Sequence, residues 1–504
     1  MTRLLLLHKL KPLRLNRLSA LHWSKSDLLA LWPLMALAPV YGLAPQFTGS
    51  LGMIFLVLTS LLIFLSMERL PMPPVALSGF AVALGLCLAV FSCGGTSFVW
   101  EKGLGLAAVG VYALALIFRS GRERGFGEKI RFAVLTGAWV TAAIALGSRL
   151  FFARSGLQDL AMGNPNVLGF HLSCAFPIAA YQRLRSGDRS EKYFYAFIMA
   201  ALAAALIVSR SWGACFTGFL AVALLFGKRR WIYPVLGAGL AIVALKAFRN
   251  PESLSHRFEW QRAGAAMFFD SPLWGTAMEG GYGALYPIYR SPDVPLRSNY
   301  SHNMYIEFLS HWGLIGASLL LGAAYSLWKQ WPRPLPADCQ AVFAVILLSG
   351  FYDSSVFLLP NAAAVTALAL SYRRADIRGP ALSFGAGPMK VALVFAAAAA
   401  LALAGELFMA RYHLLRGGLW LSLVESSPAV WAEVRRSLAR SLRWDLRNQT
   451  VWDDLAHLEF TLSREAPARL PRAFWAERRA AALEPWRKEY WRTLNHWSRL
   501  EAKP

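Results

Sequence analysis

The chain has 504 residues, of which 56% are hydrophobic and 16% charged, and its 52 lysines and arginines against 29 acidic residues give a formal net charge of +23. Soluble domains carry about 25% charged residues, so this balance excludes an ordinary soluble protein and indicates an integral membrane protein. The positive excess does not indicate nucleic acid: it falls in short loops between apolar runs, with no nucleic-acid or zinc-type motif beside it, and there it serves as an orientation signal.

The first 27 residues carry a short Leu4–Leu7 run followed at once by Lys9, Lys11, Arg14 and Arg17. That pattern predicts a basic leader on the inner leaflet rather than a cleavable signal peptide. Apolar runs long enough to span follow at about 28–45, 50–67, 74–92, 103–118, 131–147, 165–182, 193–209, 211–226, 231–248, 303–327, 338–354, 356–372 and 389–408. The expected fold is therefore all-α, a polytopic protein of about 12–13 transmembrane helices, with the 338–372 stretch the open part of the count. The basic loops 119–131, 183–192 and 227–230 all fall on the leader's side, which predicts a cytoplasmic N-terminus. Cys87, Cys93, Cys174, Cys215 and Cys339 are scattered and odd in number, so no disulfide framework is expected.

Three polar stretches fall on the outer side: 148–164, the loop 249–302, and the tail 409–504. The long loop holds Trp260, Phe268, Phe269, Trp274, Tyr282, Tyr286 and Tyr289 and should be folded against the membrane surface. The domains are then the leader 1–27, a transmembrane domain 28–408 and a soluble helical tail 409–504. In the tail, Ser441-Leu442-Arg443-Trp444-Asp445 before Val451-Trp452 and Ala482-Leu483-Glu484-Pro485 before Tyr490-Trp491 resemble the junctions between tetratricopeptide helix pairs.

Four motifs lie on the outer side. They are Met162-Gly163-Asn164-Pro165-Asn166 at the mouth of a span, and Ser209-Arg210-Ser211-Trp212-Gly213 in a tight hairpin. Next comes Arg257-Phe258-Glu259-Trp260-Gln261-Arg262, leading to Asp270-Ser271-Pro272-Leu273-Trp274-Gly275. Last is Ser301-His302-Asn303-Met304-Tyr305-Ile306-Glu307, running on to Gly313-Leu314-Ile315-Gly316. In this order they resemble the O-antigen ligase and polymerase superfamily, over roughly residues 100–330.

The resemblance implies a GT-C-like glycosyltransferase of the bacterial inner membrane, which makes the outer side periplasmic. Its donor would be a glycan on undecaprenyl diphosphate, and its acceptor a hydroxyl at the periplasmic face. The default acceptor is lipid A–core, as in an O-antigen ligase. A repeat unit (a polymerase) and a protein hydroxyl (an O-oligosaccharyltransferase) are the alternatives, and a lipid-linked glycan flippase is a more distant one. No cofactor or metal is implied, and no nucleic acid; membrane lipids surround the chain, and the tail could dock a protein partner.

The chemistry suits these residue types. His302 is a candidate general base for the acceptor hydroxyl, kept neutral by a helix N-terminus and nearby arginines. Arg210, with Arg257 and in reserve Arg262, can stabilise the leaving diphosphate through the guanidinium fork. Asn303 is expected to cap a helix, whose N-terminal amides add an anion site. Asn166 and Arg154 are further candidates for the substrate pocket. Each has a plainer alternative: Arg210 as an interfacial anchor, Asn164 and Asn166 as turn formers, Asp270 with Pro272 as a turn, and His311 as a buried, satisfied polar group. Asp353, at an outer span end, has no assigned role.

Overall fold

The structure is a computed structural model, and it describes residues 23–43, 48–65, 70–72, 97–120, 125–151, 164–227, 229–249, 251–276, 281–290, 298, 300–373, 382–384, 401–402, 404–410, 412–414, 416, 428–446, 448–464, 466–483 and 488–501. Most of the leader, the apolar run 74–92, the greater part of 389–408 and Arg154 lie outside these residues. Apart from a three-residue antiparallel ladder between β1 (Leu70–Met72) and β2 (Leu382–Phe384), the described secondary structure is helical.

The apolar runs fold into helices α1 (Lys25–Leu43), α2 (Thr48–Leu65), α3 (Ser97–Ser120), α4 (Phe126–Phe151), α5 (Pro165–Arg185), α6 (Arg189–Ser209), α7 (Trp212–Leu225) and α8 (Arg229–Arg249). The polar loop that follows is also mostly helical, as α9 (Pro251–Asp270) and α10 (Gly281–Tyr289). After it come α11 (Met304–Lys329), α12 (Ala337–Gly350) and α13 (Leu359–Ser371). Among the described residues, three helices are long and apolar enough to cross a membrane: Phe126–Leu150, Arg189–Ser209 and Met304–Lys329. Shorter apolar helices accompany them, among them Ser50–Ile63, Trp212–Leu225, Ala337–Gly350 and Leu359–Ser371.

Two apolar clusters hold the bundle. One joins α1–α4 with α12 and α13, around Leu31, Leu56, Tyr112, Phe126, Ile130, Val345 and Leu368. The other joins α4–α7, around Ala138, Leu172, Phe176, Leu202, Leu206 and Ala214. Ion pairs gather the helix ends at one pole. Fully buried Asp27, in the first turn of α1, receives Arg119 of α3 and Lys129 of α4, each at 2.7 Å. Next to it Arg131 of α4 lies 3.8 Å from buried Asp338 of α12 and donates to the Ser371 carbonyl at the end of α13. At the opposite pole the start of α5, the α6–α7 hairpin, the start of α11 and the α12–α13 turn come together.

The tail forms α14 (Pro428–Trp444), α15 (Gln449–Ser463), α16 (Leu470–Leu483) and α17 (Lys488–Glu501), around its own core of Val434, Trp452, Ala456, Ala476, Tyr490 and Trp497. The tail is joined to the helical residues before it through the Ser441 hydroxyl, which donates to the Ala410 carbonyl at 2.7 Å.

One predicted span differs from expectation. The run 303–327 reads as continuous, but α11 breaks at Gly313, where φ is 58° and ψ is −163°. The segment 272–276 fills the break. The Leu314 amide donates to the Pro272 carbonyl at 2.8 Å, and the Ile315 amide to the Leu273 carbonyl at 3.1 Å. From the other side the Thr276 amide and hydroxyl donate to the Ser310 carbonyl at 2.7 and 2.9 Å. A helix break leaves amides and carbonyls without intrahelical partners, and here a foreign strand of chain takes them up. Both glycines are required. A Cβ on Gly275 would sit 2.3 Å from the His311 carbonyl oxygen, one on Gly313 would sit 2.4 Å from that of Leu273, and both residues have positive φ. The Asp-x-Pro-hydrophobic-x-Gly and Gly-Leu-Ile-Gly motifs are thus two halves of one joint.

Candidate active site

The site is built around the polar turn 351–355, between α12 and α13. Its neighbours are drawn in by main-chain carbonyls. Arg257, half-buried on α9, donates from Nη1 to the Tyr352 carbonyl at 2.6 Å. Asn303 donates from its amide to the Phe351 carbonyl at 3.2 Å. The Tyr352 ring lies against Gly213, where a Cβ would come within 2.5 Å of it, and the Tyr352 hydroxyl is 3.3 Å from that of Thr217 on α7. Asn361, buried at the start of α13, donates to the Val167 and Ser355 carbonyls and pairs with buried His171 of α5 at 3.2 Å. Five helices therefore meet at one short segment.

His302 stands at the start of α11 with φ 53°, a left-handed backbone. Its neighbours impose this. The Ser301 amide donates to the Glu307 carboxylate at 2.5 Å, while the Ser301 hydroxyl donates to the Asn303 carbonyl. The Asn303 side chain caps α11 by accepting from the amides of Tyr305 and Ile306. With both flanking residues pinned, His302 adopts the remaining conformation, its ring 4.7 Å from that of Trp260. Arg257 and Trp260 are one helical turn apart on α9, so they present one face to this corner. The His302 Nδ1 is buried and has no hydrogen-bond partner among the described residues. Burial holds the imidazole below its ordinary value. Asp353 and Glu307 push it back up, and Arg257 pushes it down.

Arg210 caps α6 with φ 57°, in the left-handed region, and its residue is exposed. It and His302 are the non-glycine residues with positive φ among those described. Ser211, next to it, donates to the Asn166 side chain at 2.9 Å, which ties the α6–α7 hairpin to the mouth of α5. Asn164 caps α5 by accepting from the Asn166 amide, and Pro165 occupies the first helical position, where its missing N–H costs nothing.

The other sequence candidates separate. Arg257 reaches the central turn, whereas Arg262 forms a forked pair with Glu259 at 2.7 and 2.8 Å on the exposed side of α9. Asn303 is committed to its cap and to Phe351. His311 is satisfied, with Nδ1 2.9 Å from the Glu307 carbonyl and Nε2 accepting from the Tyr282 amide. Asn166 adjoins Ser211 and so lies beside Arg210.

Sequence reasoning missed Tyr352 and Asp353. Asp353 Oδ1 accepts from the Ser354 and Ser355 amides at 2.6 and 3.1 Å. Its Oδ2 is buried without a hydrogen-bond partner among the described residues, and its charge acts on His302. The available signal was the polar run Tyr352-Asp353-Ser354-Ser355, which interrupts an otherwise apolar stretch. One His/carboxylate group with metal-compatible spacing occurs among the described residues, and it lies in the tail: Asp453, His457 and Glu477, with ligand atoms within 4.8 Å of one another. There His457 Nδ1 is 3.1 Å from Asp453 Oδ1, and this partner pushes the imidazole up to about 9, so its proton competes with any metal.

Comparison with protein-family models, curated proteins and solved structures gives no match for this chain.

Proposed function

We propose that the protein is a polytopic inner-membrane glycosyltransferase. It moves a glycan from an undecaprenyl diphosphate carrier to an acceptor hydroxyl at the periplasmic face, with lipid A–core as the default acceptor. The observation that carries the reading is the backbone at Arg210 and His302. Strained non-glycine conformations concentrate at functional sites, and these two residues hold the described ones of that kind. His302 adjoins Asn303, which with Arg257 binds the turn 351–355, and Arg210 lies three residues before Gly213, which packs on Tyr352 of the same turn. The order of the four motifs, and the low proton affinity of a buried His302, support the same reading.

On this reading the acceptor hydroxyl attacks the anomeric carbon as His302 takes its proton. The bond from that carbon to the phosphate oxygen breaks, and the electron pair leaves on the lipid diphosphate. Arg210, with Arg257 close to His302, stabilises the charge that develops there. His302→Ala and Arg210→Ala, assayed for transfer from purified undecaprenyl diphosphate-linked glycan, should each lose about 10²–10⁴-fold in turnover. Full activity in both variants would falsify the mechanism.

The break in α11 favours a second reading, a lipid-linked glycan flippase, because discontinuous helices are common in transporters. Against it, the freed backbone groups at Gly313 are taken up by residues 272–276 rather than turned toward a cavity. Flipping of labelled lipid by reconstituted protein, with no covalent product, would decide for this alternative.

A further inference from the structure

Where the last apolar run meets the tail, His413, Arg440, Arg443 and Trp444 line an open cleft of about 370 Å³. Small-molecule sites run from about 300 to 1,000 Å³. Arg440, Arg443 and Trp444 are three and four residues apart on α14, so they share one face of the helix.

Their chemistry differs from that of the arginines around them. Arg416 and Arg436 both pair with Glu433, and Arg435 pairs with Glu459. Those carboxylates are consumed. Arg440 and Arg443 have no ion pair among the described residues, and both are exposed. Two like charges one turn apart repel, an arrangement that an anion between them relieves. Trp444 is 44% exposed and lines the cleft with the two arginines. His413 lines the same cleft, and burial, with Arg440 and Arg416, holds its imidazole below the ordinary value. Its Nδ1 is buried and without a hydrogen-bond partner among the described residues.

We propose that this cleft binds a phosphorylated sugar, the phosphate between Arg440 and Arg443, the apolar face of the sugar ring on Trp444, and a ring hydroxyl at His413. The guanidinium fork matches phosphate oxygens, and indole offers a flat apolar surface to the C–H face of a pyranose. The inference goes beyond the glycan-transfer reading and stands or falls without it, because none of these residues belongs to the His302 site.

The test uses the full chain in phosphatidylcholine nanodiscs, with maltose 1-phosphate, maltose and inorganic phosphate as probes. Saturation-transfer NMR reads contact with the sugar ring, and titration reads affinity. Maltose 1-phosphate should bind saturably, and maltose about tenfold more weakly or worse. The variant Arg440→Gln/Arg443→Gln should lose a similar factor. Trp444→Ala should lose the sugar-ring signal while far-UV circular dichroism stays unchanged, since all three side chains face solvent. His302→Ala should bind as the parent does, which separates this site from the transfer reaction. Unchanged affinity in the double arginine variant, or equal binding of maltose and its phosphate, overturns the proposal. Inorganic phosphate binding as well as the sugar phosphate, with Trp444→Ala neutral, overturns its sugar part. Displacement of the probe by phosphatidylglycerol in the nanodisc identifies a phospholipid headgroup anchor instead, and also overturns it.

Discussion

His302 is surrounded by charges that act on it in opposite directions: Asp353 and Glu307 favour its imidazolium, while burial and Arg257 oppose it. If His302 is the base, the acid limb of kcat/KM follows its titration. Asp353→Asn removes a charge that raises its proton affinity, so that limb should move to lower pH. Arg257→Gln removes one that lowers it, and the limb should move the other way. A pH–rate profile for both variants checks the pair, and shifts of the same sign would refute the assignment. The left-handed glycines at the α11 joint give a second expectation. Gly313→Ala or Gly275→Ala should destabilise by about 1–3 kcal/mol from backbone strain alone, read as a lower thermal midpoint in detergent, with the carbonyl clash adding to it. At this scale the sequence was legible where a local motif carried the chemistry. The Asn303 cap was readable that way, whereas the positive φ of His302 and Arg210 was not. Asp353 was not, because its role depends on a partner 51 positions away, and sequence spacing holds no record of that proximity.

Helices were readable from their apolar runs, and α1–α8 follow the predicted spans within a few residues at most ends. The polar helix α9 was not, since it carries too little apolar surface to announce itself. It is held instead by Ala263 and Met267 packing on Tyr282, Leu285 and Tyr286 of α10. The break in α11 was also hidden, because Gly313 interrupts the backbone without interrupting the hydrophobic pattern. In the tail, the α15 imidazole of His457 titrates near 9 through its bond to Asp453, above the ordinary 6.5. A group that binds its proton more tightly when folded stabilises fully below its unfolded value and loses that contribution as pH rises through the folded one. Protection of the amides in Gln449–Ser463 of the full chain, taken relative to their intrinsic exchange rates, should therefore fall between about pH 6.5 and pH 9. Asp453→Asn should flatten that dependence; an unchanged slope would exclude the pair as its origin.

At the scale of the whole molecule, buried ion pairs draw several helix ends to one pole. Asp27, Arg119, Lys129, Arg131 and Asp338 gather the start of α1, the end of α3 and the starts of α4 and α12, all ends that loop charge assigns to the leader's side. Asp27→Ala would leave Arg119 and Lys129 without their buried counter-charge and should cost about 3–5 kcal/mol, visible as a large fall in thermal midpoint. In intact cells an impermeant maleimide should label Trp491→Cys in the tail and not Gly187→Cys between α5 and α6; the reverse pattern would invert the proposed orientation. The joint at Gly313 also bears on how such a chain is made. The first part of α11, before the break, is only about 13 Å long, less than half of a hydrocarbon core of about 30 Å. Residues 272–276, which complete it, leave the ribosome before α11 does. The broken geometry at Gly313 is therefore available only once both segments have been made, because the partners of its freed backbone groups come from a part of the chain that precedes α11.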